Sequence, residues 1–165
     1  LKHKVEVPET PFKRFTYDQI LDELKKRGIQ IKWGEDITTE AIRTVGKLHP
    51  YFYWITDWPT KSKPFYIKPR GDKPEICEAF DLMWRWMELS SGGTRIASKE
   101  LLIKRLKEQG LNPDSFQFHL QTFDYGMPPH AGWAMGLERL AMMLTGKSNI
   151  REMALFPRDR FRLTP

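Results

Sequence analysis

The run Phe80-Asp81-Leu82-Met83-Trp84-Arg85-Trp86-Met87-Glu88-Leu89-Ser90-Ser91-Gly92-Gly93-Thr94-Arg95-Ile96 decides how the chain is read. Its apolar and aromatic residues on both sides of Trp84-Arg85 predict two neighbouring strands, over 75–83 and 86–96. A turn at Trp84-Arg85 would set Asp81 directly opposite Glu88, on one face, with Cβ atoms about 4.5–5.5 Å apart. Two carboxylates so placed repel unless a cation or a shared proton intervenes. Oxygen ligands on a rigid hairpin suit Mg²⁺, above all when a bound phosphate supplies further ligands. The plainer alternative is a longer turn with two solvated or arginine-paired acids, because Trp-Arg is not a favoured two-residue turn.

The paired glycines Gly92-Gly93 predict a bulge or a close ligand approach within the second strand. Strict alternation would place Glu88 and Arg95 on opposite faces. One extra residue near Gly92 would bring Arg95 round to the carboxylate face. Its guanidinium could then fork onto a substrate carboxylate. The alternative is a strand-end arginine in a surface ion pair.

Toward the N-terminus, Pro8 and Pro11 mark an extended lead-in. Thr16 and Gln19 form a capping box for a helix over 17–27, which Gly28 stops. A short strand is expected over 29–33. A helix over 39–48 follows, with Ala41, Ile42, Val45 and Leu48 on one face and His49-Pro50 ending it. Two more strands are expected over 51–56 and 64–68. Toward the C-terminus, Ser98 caps a helix over 99–109, and Asn112-Pro113 opens another with Phe116, Leu120 and Phe123 on its buried face. A strand over 126–135 then leads into a helix over 137–144, stopped by Gly146. The expected fold class is α+β, an antiparallel β-sheet flanked by helices.

That last junction, His130-Ala131-Gly132-Trp133-Ala134-Met135-Gly136-Leu137-Glu138-Arg139-Leu140, is a second constellation. Its glycines allow a flat ligand to lie close to backbone. Arg139 falls in the first turn of the helix, where its charge adds to the positive end of the helix dipole and makes a phosphate site. The plainer alternative is a strand–turn–helix whose glycines are packing devices.

Composition narrows the classes further. Of 165 residues, 40% are hydrophobic, enough for a core and against a wholly disordered chain. No stretch approaches the roughly 20 apolar residues of a membrane span. A single cysteine, Cys77, excludes an internal disulfide and fits a reducing, cytoplasmic compartment. Four histidines and one cysteine give no zinc pattern. The net charge of +6 suits a polyanionic partner, or simply a basic surface. The chain begins at Leu1 without an initiator methionine, so a segment of something longer is expected.

Taken together, 80–96, the run Tyr125-Gly126-Met127-Pro128-Pro129-His130-Ala131-Gly132 and Gly136-Leu137-Glu138-Arg139-Leu140 resemble class II aminoacyl-tRNA synthetases of the aspartyl and asparaginyl branch. The tail, Asn149-Ile150-Arg151-Glu152 and then Phe156-Pro157-Arg158-Asp159-Arg160-Phe161-Arg162-Leu163-Thr164-Pro165, resembles the archaeal aspartyl type. The likeness covers nearly the whole chain and is strongest from Phe80 onward. It implies the class II catalytic-domain fold, here in part, and a ligase reaction in which ATP and aspartate form aspartyl-adenylate and the aspartyl group passes to tRNA. It implies that Arg139 is the motif 3 arginine on the γ-phosphate, within a motif 3 at 132–144, and that Gly136, Leu137 and Glu138 wall the nucleotide pocket. It makes Glu88 the Mg²⁺ and ATP ligand, Asp81 a second acid near the metal, and Ser91 a hydroxyl at the metal and the amino acid. Arg95 becomes the grip on the substrate side-chain carboxylate. A homodimer is implied for the full-length protein.

Ala134 stands where the family usually has glycine. Motif 1, motif 2 and an anticodon-binding β-barrel are not found, so 165 residues are expected to be the C-terminal segment of a catalytic domain, inactive alone. The alternatives are an asparaginyl-tRNA synthetase, a tRNA-independent amidating relative, and a non-catalytic nucleotide- or RNA-binding paralogue.

Overall fold

Thr16 opens the first helix through the predicted reciprocal cap: its Oγ1 accepts from the Gln19 N–H at 3.2 Å, and Gln19 Oε1 accepts from the Thr16 N–H at 2.9 Å. These contacts, like all that follow, come from a computed structural model that describes Val5 and residues 7–164. Leu1 and Pro165, both quoted above, lie outside the described residues. The helix, α1, spans Tyr17–Lys25 and ends two residues short of expectation. Strand β1, Lys13–Thr16, leads directly into it. The second helix, α2, occupies Thr39–Leu48 as the apolar spacing predicts, with the Thr38 side chain as its N-cap.

Four more strands complete the sheet: β2 (Phe52–Thr56), β3 (Ala79–Trp84), β4 (Met87–Thr94) and β5 (Ala131–Met135). Their order is β1-β2-β3-β4-β5. All neighbours are antiparallel except β1 and β2, which are parallel. Helix α3 (Lys99–Glu108) takes Ser98 as its cap, and a short helix α4 (Gln117–Gln121) is flanked by 3₁₀ turns. Helix α5 (Leu137–Thr145) follows β5 after the single residue Gly136 and ends at left-handed Gly146.

Two expected strands are absent. Residues 29–33 form no strand; Ile29 instead closes the end of α1 by donating its N–H to the Leu24 carbonyl, and Ile29 and Ile31 pack on the core. Residues 64–68 also form no strand, only an isolated bridge from Ile67 to Arg95. Pro64 removes a ladder donor there, and aromatic composition alone does not supply a partner strand.

The hairpin turn is one residue later than expected. Arg85 and Trp86 form it, with Arg85 at a φ of 54°, and Trp84 pairs with Met87. Asp81 therefore faces Ser91 and Glu88 faces Met83, so the two acids are not direct cross-strand neighbours. The expected bulge exists at a different place: Leu82 pairs with Ser90 and Met83 with Glu88, which leaves Leu89 as the extra residue.

Helices α1 and α2 cover the face of β2 and β3 that carries Tyr53, Ile55 and Met83, burying Tyr17, Ile20, Leu24, Ala41 and Val45 against it. A second cluster joins Leu102 and Leu106 of α3 to Ile96 and Leu120, with Phe116 and Phe123 partly buried beside them. Docking of α2 requires Gly46 to be bare: a Cβ there would lie 2.5 Å from the Trp86 backbone nitrogen. Alanine is favoured over glycine in a helix by about 1 kcal/mol. Overpacking against backbone costs about 1–3 kcal/mol. Gly46→Ala is therefore expected to lower the urea unfolding midpoint, and a higher midpoint would refute this close approach.

Candidate active site

The bulge at Leu89 sets which side chains share a face. Residues opposite one another, and residues two apart, point the same way. Asp81 opposes Ser91, and Met83, two residues on from Asp81, opposes Glu88. Asp81, Glu88 and Ser91 therefore leave one face, and alternation carries Arg95 to it as well. The Arg95 guanidinium confirms this: a Cβ on Gly132, which pairs with Gly93 two residues before, would lie 2.8 Å from Arg95 Nη2. Gly132 thus leaves room for the guanidinium, which also lies 4.9 Å over the Tyr66 ring. The sequence suggests a flat ligand against the bare Cα of Gly132; in the structure that space is taken by an arginine.

A cavity of about 610 Å³ opens on this region. Asp36, Lys63, Asp81, Glu88, Arg139 and Asn149 are among the residues that line it, whereas Ser91 and Arg95 are not. Arg139 reaches it from the first turn of α5 and donates through Nη1 to the Glu88 carbonyl at 2.6 Å. The Glu88 carboxylate is 3.9 Å from the same nitrogen, and both side chains are more than 40% exposed, so that pair is a loose one. Gly136 makes this reach possible, because a Cβ there would crowd the Arg139 Cδ at 3.2 Å. It also caps α5 without a side chain, so the first N–H groups of the helix stay unsatisfied beside the guanidinium. Leu137 and Glu138 are exposed at that same turn.

Sequence reasoning missed Lys63. Its Nζ donates to Asp81 Oδ2 at 2.6 Å and lies 3.8 Å from the centre of the Trp58 ring. Lysine and acid lie eighteen positions apart, mostly across irregular chain, so no spacing rule links them. Asp81 is 4% exposed, and burial pushes its carboxyl up to about 6; Lys63 pulls it back, while Glu88 and Asp36 raise it further. Helix α3 holds the lysine loop in place: Arg105 Nη2 donates to the Thr60 carbonyl at 2.7 Å and Gln109 Nε2 to the Lys63 carbonyl at 2.8 Å. Arg105, which no sequence motif singles out, is buried.

The donor set bears on a metal. Among the described residues no group of three or more His, Cys, Asp and Glu side chains is placed to hold an ion. Mg²⁺ is commonly bound through one or two carboxylates plus phosphate oxygens and water. Glu88, half-exposed in the cavity, fits that mode. Asp81 already has an ammonium on it.

The chain as a whole has counterparts among known proteins. The family profile described as "tRNA synthetases class II (D, K and N)" matches residues 1–160. The chain belongs to this family. Over 165 residues this class II chain is 52% identical to the aspartate–tRNA(Asp/Asn) ligase of Archaeoglobus fulgidus, of which it spans 38%. It is 48% identical over 161 residues to the aspartate–tRNA(Asp) ligase of Thermoplasma acidophilum, covering 98% of this chain and 38% of that protein. The aspartyl-tRNA synthetase structure from Entamoeba histolytica superposes with a TM-score of 0.87 at 37% identity, over 94% of this chain and 33% of that one. Asparaginyl-tRNA synthetase from Pyrococcus horikoshii, complexed with asparaginyl-adenylate, gives 0.88 at 31% identity, over 95% and 37%. The class II chain thus spans well under half the length of these relatives.

A raised carboxyl binds its proton more tightly in the folded than in the unfolded protein. The penalty for ionising Asp81 is full above about 6 and vanishes below 3.8, so this group adds stability as pH falls through that window. A ¹³C titration of the Asp81 carboxyl is expected to show a midpoint near 6. A midpoint below 3.8 would mean that Lys63 outweighs burial.

Proposed function

We propose that residues 1–165 are the C-terminal part of a class II catalytic domain that activates aspartate with ATP and passes the aspartyl group from aspartyl-adenylate to tRNA. The observation that carries this reading is the meeting of Glu88 and Arg139 in one cavity, with the Arg139 guanidinium held on the Glu88 carbonyl. The match to aspartate–tRNA ligases over the full chain supports it.

Arg139 and the open N-terminus of α5 bind and orient the triphosphate. Glu88 holds Mg²⁺, which when bound neutralises phosphate charge. Gly136, Leu137 and Glu138 line the nucleotide side, while Ser91 and Arg95 take the amino acid. The aspartate carboxylate attacks the α-phosphorus and pyrophosphate leaves, with positioning and charge neutralisation as the protein's contribution. No covalent bond to the enzyme forms. The surfaces that motifs 1 and 2 bring in the family complete the site, so residues 1–165 alone are inactive in this proposal. The full-length protein acts as a cytoplasmic homodimer, and the +6 charge suits tRNA. Among the described residues no helix is long and apolar enough to cross a membrane.

Asparagine is the second substrate to consider, because an asparaginyl-tRNA synthetase superposes as well as the aspartyl one. Arg95 favours aspartate: its guanidinium matches a carboxylate fork, not an amide.

ATP–pyrophosphate exchange by the full-length protein is expected with aspartate and not with asparagine. Loss of exchange with both would remove the ligase reading. Arg139→Ala and Glu88→Ala are each expected to lower exchange by about 100-fold or more. Near-normal rates would remove those roles. Gly132→Ala pushes the Arg95 guanidinium aside, so it and Arg95→Ala are expected to raise the KM for aspartate while leaving the KM for ATP unchanged. Equal effects on both would contradict the assignment of Arg95.

A further inference from the structure

We infer that Tyr66 is a positioning residue for the amino-acid substrate: its ring holds the Arg95 guanidinium by the face and leaves the N–H edges free to fork onto a carboxylate. The inference deepens the synthetase reading and rests on its assignment of Arg95 to the aspartate side chain.

Arg95 is a cation without an acid. Among the described residues no carboxylate forms an ion pair with it. Two other features place its side chain. The guanidinium lies 4.9 Å over the Tyr66 ring, and it occupies the space that a Cβ on Gly132 would need. The choice of a ring as partner has a chemical consequence. A carboxylate brace would take up the in-plane N–H groups that a substrate carboxylate needs, and would offset the charge. An aromatic ring attracts the cation through its π face and uses none of those donors. Holding the long side chain in place beforehand also removes an ordering cost that would otherwise fall on substrate binding.

The fold fixes the ring in turn. Tyr66 sits in a turn closed by the Ile67 N–H on the Pro64 carbonyl at 3.0 Å. From there the chain is clipped to the strand end that carries Arg95. The Ile96 N–H donates to the Tyr66 carbonyl at 3.0 Å, the Lys68 N–H donates to the Thr94 carbonyl at 2.9 Å, and Ile67 bridges Arg95. The residues on either side of Tyr66 are anchored in different parts of the core. Phe65 packs on the cluster of Ile96 and Leu102, and Ile67 is buried in the cluster that holds Cys77 and Ala79. Phe65 also meets the Tyr66 ring edge-on, with centroids 5.3 Å apart, and meets Phe116 at 5.2 Å. Tyr66 itself stays 39% exposed. Its neighbours carry the packing, and the ring is left to face Arg95.

ATP–pyrophosphate exchange by the full-length protein, with aspartate and ATP varied in turn, tests this. Tyr66→Leu removes the π face at a half-exposed position and is expected to raise the KM for aspartate about tenfold. The KM for ATP is expected to stay within about twofold of wild type, because the ring acts on the amino-acid side alone. Tyr66→Phe keeps the face and loses only the hydroxyl, so it is expected to restore the wild-type KM for aspartate. An unchanged KM for aspartate in Tyr66→Leu would overturn the inference, and so would equal rises for both substrates. Equal losses in Tyr66→Phe and Tyr66→Leu would make the phenol the contact and overturn the role of the ring. Crystal structures of the two full-length variants read the placement without any substrate. The guanidinium is expected against Gly132 in Tyr66→Phe and displaced from it in Tyr66→Leu; an undisplaced guanidinium in Tyr66→Leu would also overturn the inference. Absence of exchange by the unmodified protein would remove the synthetase reading, while the two structures would still decide whether the ring holds Arg95.

Discussion

A single surplus residue in β4 governs the chemistry of this protein. Side chains on a strand alternate with a period of two, so one inserted residue reverses the facing of everything on one side of it. Leu89 is that residue. Were 88–91 a regular strand with no bulge, Ser91 and Arg95 would face away from Glu88 and Asp81. The insertion is stable because Leu89 itself is buried against Met87 and Met142, so the bulge is secured by the helix that also delivers Arg139. The backbone completes the link: the Leu89 carbonyl accepts from the Gly136 N–H and the Glu88 carbonyl from Arg139. The start of α5 is thus registered to the bulge by consecutive carbonyls.

Charge on this face is organised by burial. Asp81, nearly inaccessible, would be costly as a lone anion, and a lysine on a braced loop compensates it. Removing one member of such a pair is much worse than removing both. Glu88 and Arg139 keep water contact and stay weakly paired, which is the state that a site receiving a polyphosphate and its metal requires. The buried pair sets a fixed background charge, and the exposed pair remains free to rearrange around a ligand.

Local signals were legible wherever the chain makes its own contacts. The Thr16–Gln19 box, the Thr38 and Ser98 caps and the Gly146 stop are all satisfied within a few residues, so their pattern carries the structure. The segments 29–33 and 64–68 misled because apolar and aromatic residues suit either a strand or a loop packed on a core, and only an available partner strand separates the two. Strand β1 carries little alternation and owes its place to a parallel edge on β2 that no local pattern announces.

The sequence by itself determined the order of the helices and of strands β2 to β5, the class of sheet with flanking helices and, through the runs around Glu88, Arg95 and Arg139, the family to which the chain belongs. Those features are written in short-range spacing, and spacing survives in one dimension. Only the tertiary structure decided the register of the hairpin, the position of the bulge at Leu89, the close approach of Gly132 to Arg95 and the partnership of Lys63 with Asp81. The physical reason is common to all four: each depends on which distant backbone comes within a few ångströms, and that is set by packing across the sheet and not by neighbours along the chain.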